Sequence, residues 1–83
     1  MDILIVFTSY YFADKANQVL ENTDIRFKLV ALPPELSDVC GMAIRVSPDY
    51  INRVQVILKE HRISPSHIYW YKKGEQPILY VES

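Results

Sequence analysis

Cysteine is nearly missing from this chain: Cys40 is the only one among 83 residues. A lone thiol cannot close an internal disulfide, and it has no second cysteine with which to build a four-ligand zinc site. Glycine is almost as scarce, with Gly41 and Gly74 alone, so there is no glycine-rich phosphate loop. Charge of one sign is lacking too. Nine Lys and Arg stand against ten Asp and Glu, for a formal net charge of −1, which argues against a nucleic-acid binder that works by neutralising phosphates.

Long apolar runs are also missing. Ile3–Phe7 is too short for a membrane span or a signal core, and Asp2 stands where a secretory signal carries positive charge. The expectation is a cytoplasmic protein, away from the membrane, whose thiol stays reduced. His61 and His67 fall at a helix end and a strand start, which is not metal-ligand spacing. Neither a metal nor a cofactor is expected. No carboxylate pair or nucleophile–base arrangement suggests a self-contained enzyme; a carrier or accessory protein fits better.

What is present is an ordinary folded composition, 49% apolar. The whole chain, 1–83, reads as one domain, burying about 60–65% of the surface exposed when unfolded. Ile3–Thr8 is a β-branched and aromatic run, the pattern of a central strand. Ser9 then caps a helix whose apolar face carries Phe12, Ala16, Val19 and Leu20, ending at Asn22-Thr23. Arg26–Leu32 alternates as a strand, and Pro33-Pro34 stops it because proline offers no ladder donor. Glu35–Val39 is a connecting loop with room for one helical turn.

Gly41–Val46 is a third strand, with Met42, Ile44 and Val46 opposed to Ala43 and Arg45. Ser47-Pro48-Asp49 combines a capping serine, a proline at the first helical position and an acid in the first turn. The helix it opens places Tyr50, Ile51, Val54, Ile57 and Leu58 on one side. His67–Lys72 is a fourth strand; Lys73–Gln76 is a hairpin loop and Pro77–Val81 a fifth strand. The order β-α-β-β-α-β plus a terminal strand predicts an α/β (α+β) sandwich, ferredoxin-like, with both helices on one sheet face. The other face is expected to be open or covered by a partner subunit.

The stretch from Phe27 to Val46 carries a resemblance. It holds a strand, a proline loop with a small acidic and hydroxyl stretch, a Cys-Gly pair, and a short apolar strand with an arginine. This resembles a family of small selenium/sulfur carrier-like proteins, matching at Pro33 or Pro34, Ser37, Cys40, Gly41 and Arg45. The opening strand followed by Thr8-Ser9 is similar too. The resemblance runs over roughly residues 3 to 70; nothing is carried to Tyr71–Ser83.

It implies that Cys40 accepts a sulfur or selenium atom as a persulfide or selenopersulfide and hands it on. Donor and acceptor partner proteins follow from that, and transfer needs an exposed thiolate. Gly41 would give a partner backbone access to the sulfur. Amides of Gly41 and Met42, turned toward the sulfur, would stabilise its anion.

A plainer reading of the same residues stands beside this one. Cys40 is a packed core residue in a non-catalytic interaction or dimerisation module. Free cysteine is often buried, and strand parity puts Cys40 on the side of Met42 and Ile44. Glu35 and Asp38 are the nearest acids and would raise a thiol pKa, whereas Arg45 alternates to the other face. Tyr69-Trp70-Tyr71 with Lys72-Lys73 and Tyr80 is the one aromatic–basic cluster. Alternation pairs Tyr69 with Tyr71 and opposes Trp70, which suits cross-strand packing or a homodimer contact better than stacking on nucleic acid.

Overall fold

The computed structural model describes residues 1–36 and 41–80. Five strands and two helices follow one another as β1 (Asp2–Val6), α1 (Tyr10–Glu21), β2 (Phe27–Ala31), β3 (Met42–Val46), α2 (Ile51–Glu60), β4 (His67–Tyr71) and β5 (Ile78–Leu79). Single 3-10 turns precede β3 at Pro34–Leu36 and α2 at Pro48–Tyr50. The strands form one sheet in the order β2-β3-β1-β4-β5, and every pair of neighbours is antiparallel. Each helix connects two strands that flank a third, giving two split β-α-β units. This is an α+β fold whose order is compatible with the ferredoxin-like arrangement. Among the described residues no helix is long and apolar enough to cross a membrane.

β1 sits at the centre, and its register explains its composition. Ile3 lies opposite Val46 on one side and Trp70 on the other; Ile5 lies opposite Ile44 and Ile68. These side chains face the helices and meet Ala13, Ala16, Leu20, Ile51, Val54 and Leu58 in the main core. Full burial of each large apolar side chain contributes about 1.5–3 kcal/mol. Phe7, one residue past the strand, is fully buried in the same core.

Helix α1 begins where the capping pattern places it. The Ser9 hydroxyl oxygen accepts a hydrogen bond from the Phe12 amide at 3.4 Å. Its buried stripe, however, is Ala13, Ala16 and Leu20, and the expected core residue Phe12 is 37% exposed. Small alanines let the helix axis approach the sheet closely. That rotation carries Phe12 to the rim, where its ring meets Tyr11 edge-on at 5.2 Å.

Ser47 also differs from expectation. It caps the 3-10 turn through its side-chain oxygen, which accepts from the Asp49 amide at 3.3 Å. Helix α2 itself starts after Tyr50, which makes no side-chain cap bond. The bond to the second residue on, with Pro48 lacking an N–H, tightens the chain before it widens into the α-helix.

The second sheet face departs most from the sequence reading. Leu4, Val6 and Ala43 point away from the helices, yet each is no more than 1% exposed. The chain covers them itself: Val30, Tyr69 and Tyr71 flank them within the sheet, and Leu32 and Leu36 pack against them, forming a smaller second core. The segment after β2 folds back across the sheet instead of leaving it open. It is fastened by the Gln76 side-chain amide, which donates to the Glu35 carbonyl at 3.4 Å.

Candidate functional site

The site starts from the two glycine and proline signals that frame the cysteine loop. Pro33 is buried beside the second core, and its carbonyl accepts from the Leu36 amide at 2.9 Å, closing the 3-10 turn. Leu36 then seats on Leu4, Val6 and Ala43. Together with the Gln76 bond, this holds the incoming arm of the loop against the sheet. One oxygen of the Glu35 carboxylate, Oε2, is buried there with no hydrogen-bond partner among the described residues.

Gly41 anchors the outgoing arm. Its φ is +146°, a backbone conformation that residues with a Cβ rarely adopt. An added Cβ there would come 3.2 Å from the Phe7 carbonyl oxygen. Glycine is favoured by the torsion, and the tight Cβ position adds to that preference. The extended strand geometry begins only at Met42, so the alternation of β3 cannot be run back through Gly41.

Ser37, Asp38, Val39 and the sequence-predicted Cys40 lie outside the described residues. So does Val81, which closed the expected fifth strand. Cys40 is nonetheless bonded directly to Gly41, and Gly41 adjoins the end of β1.

Three strand ends meet at this edge. Val6 lies between Ala43 of β3 and His67 of β4, and the Val6 carbonyl accepts from both the amide and the hydroxyl of Ser66, at 2.8 and 3.2 Å. Helix α1 starts a few residues on, with Tyr10 and Tyr11 each 67% exposed. His67 was not singled out for this end of the molecule by sequence reasoning. Only the strand register brings it there, where its ring stacks on Tyr69 at 5.9 Å.

Arg45 belongs elsewhere. About 14 Å of strand separates it from Gly41. Its Nε donates to the Asp2 carboxylate at 2.6 Å, and its guanidinium lies 5.5 Å from the Tyr71 ring centre. This arginine of the motif therefore ties β3 to β1 and β4. The aromatic cluster divides as alternation required: Tyr69 and Tyr71 join the second core, whereas Trp70 packs on Tyr80 at 5.5 Å beneath the helices.

A family model described as "Putative Se/S carrier protein-like" matches residues 2–70. The chain belongs to this family. The match takes in both arms of the loop, the Cys40-Gly41 pair, β1 to β3 and both helices, and it stops at Trp70, one residue short of the end of β4. The chain has no significant match among curated proteins or among solved structures.

Proposed function

We propose that the protein carries sulfur or selenium on Cys40 and delivers it to a partner enzyme. Membership of the Se/S carrier-like family, over a span that includes the Cys-Gly pair, is the observation that carries the reading. The glycine that follows the cysteine lends it support, since its positive φ and close approach to Phe7 set the chain beside the end of β1 one residue after Cys40.

The chemistry needs no external oxidant. The Cys40 thiolate attacks the outer sulfur of a donor persulfide; a new S–S bond forms as the donor's own S–S bond breaks, and the donor leaves as a thiolate. An acceptor thiolate then attacks the outer sulfur now held on Cys40, and Cys40 departs as the thiolate it began as. Selenium follows the same course through a selenopersulfide. One cysteine suffices because each partner supplies the other chalcogen. The cytoplasm, where thiols stay reduced, is the compartment in which such a carrier works. All 83 residues act as one domain in this reading, with Gly41 admitting the partner's backbone to the sulfur.

Intact mass spectrometry after treatment with a persulfide donor tests the proposal. Wild type should gain one sulfur, reversed by a thiol reductant, while Cys40→Ala gains none. Absence of a cysteine-dependent gain, with slow labelling of the native thiol by an alkylating reagent, would leave Cys40 as a packing residue in an interaction or dimerisation module.

A further inference from the structure

At the other end of β3 lies a groove with a different character. It is lined by Asp2, Arg26, Phe27, Lys28, Arg45, Val46 and Ser47 and has a volume of about 340 Å³. Lys28 is paired directly with Arg45 across the β2–β3 ladder, so the two side chains leave the same sheet face. Arg26 stands just before β2 and lines the same groove. Among the described residues, the Asp2 carboxylate is the one negative group in the lining, and it is engaged by Arg45 at 2.6 Å. Three cations against one carboxylate leave a local excess of two positive charges in a chain whose net charge is −1.

Like charges directly opposite one another on a sheet repel, and Asp2 offsets one of the three. Ser47 adds a hydroxyl at the rim. Its oxygen accepts from the Asp49 amide, which leaves its proton to donate. A groove of this volume is at the small end of ligand sites. Its donors are two guanidinium groups, an ammonium and a hydroxyl, with a net positive excess of two. Guanidinium groups match oxyanions bidentately.

We propose that this groove is a binding site for a phosphate-class dianion, either inorganic phosphate or the phosphate group of a larger metabolite. Arg26 and Lys28 supply the free cations, Ser47 a hydrogen bond, and Asp2 competes with the ligand for Arg45. The site is about 17 Å along β3 from Gly41, so it stands independently of the thiol chemistry.

The test is an amide NMR titration of the full chain with inorganic phosphate, with ionic strength held constant by potassium chloride, and in parallel with adenosine monophosphate. Saturable shifts should centre on Arg26, Lys28, Arg45 and Ser47. Lys28→Glu should weaken binding about tenfold or more and Arg26→Gln about threefold, while the charge-matched control Lys15→Glu on α1 changes it less than about twofold. Asp2→Asn should strengthen binding about threefold by freeing Arg45.

Tighter binding of the nucleotide at the same residues would identify the phosphate as part of a larger ligand; equal binding would identify free phosphate. Shifts that do not saturate, that scatter over all basic residues, or that survive both Lys28→Glu and Arg26→Gln would overturn the site. So would an Asp2→Asn variant that binds no better than wild type.

Discussion

Gly41 passes close to Phe7 at the end of the sheet: a Cβ on Gly41 would stand 3.2 Å from the Phe7 carbonyl oxygen. The close approach lies just beyond the Val6–Ala43 pairing that joins β3 to β1, at the residue bonded to Cys40. Gly41→Ala adds the missing Cβ and forces a φ of +146° on a residue that resists it. We expect it to destabilise the fold by about 1–3 kcal/mol, seen as a lower urea midpoint. A Cys40→Ser variant leaves this contact untouched. An unchanged midpoint for Gly41→Ala would mean that the loop anchor is dispensable.

Leu36 is the side chain that seats the returning segment on Leu4, Val6 and Ala43. Leu36→Ala should cost about 1–2 kcal/mol, less than the range for a fully buried leucine because Leu36 is only partly buried. It should also raise amide exchange at Leu4, Val6 and Ala43 ahead of global unfolding. If exchange there stayed at the wild-type rate, the second core would owe nothing to this strap.

Arg62 follows the C-cap of helix α2 with a φ of 58°, the left-handed position at which helices usually place glycine. Its amide bonds to the Lys59 carbonyl at 3.1 Å and the next amide, of Ile63, to the Leu58 carbonyl at 2.9 Å. Relief of the Cβ strain outweighs the added unfolded-state entropy, so Arg62→Gly should stabilise the protein by about 0.5–1 kcal/mol. A thermal melt reads this directly, and a lower midpoint would count against the strain argument.

Arg53 holds the Asp24 carboxyl below the usual carboxylate range through a side-chain hydrogen bond of 2.6 Å. Because the folded-state pKa is depressed, the pair's contribution is present above the unfolded-state pKa of Asp24. It disappears as pH falls through the folded value. Both side chains are largely exposed to solvent, so the gain is small and screened by salt. Wild type should exceed Asp24→Asn slightly at neutral pH and low salt, and the two should converge once the carboxyl is protonated. A gap that widened in acid would reverse the assignment.

Much of the architecture was legible in the residues. The alternation in Phe27–Ala31 and Met42–Val46, the Ser9 cap and the doubly apolar run of β1 each reflect local backbone and burial preferences that act over a few residues. They led to the element order, and the short β2–β3 connection pointed to the split β-α-β units. The reading failed where packing chose between near-equal local options. Phe12 and Ala13 are neighbours on α1, and only the closeness of helix to sheet decided that alanine goes inside. The Cys-Gly pair was legible as part of a family motif, but Arg45 could be assigned only once Asp2 and Tyr71 were brought beside it from β1 and β4.

By itself the chain dictated its periodicities, its breaks at proline and glycine, and the solitary thiol, because these depend on residue type and near neighbours. Folding in three dimensions decided which sheet face the Pro33–Leu36 strap covers. It also decided that Gly41 abuts Phe7 and that Lys28 faces Arg45. Those relations join residues far apart in sequence, and they are fixed by strand register and the shape of the shared core, which no local pattern encodes.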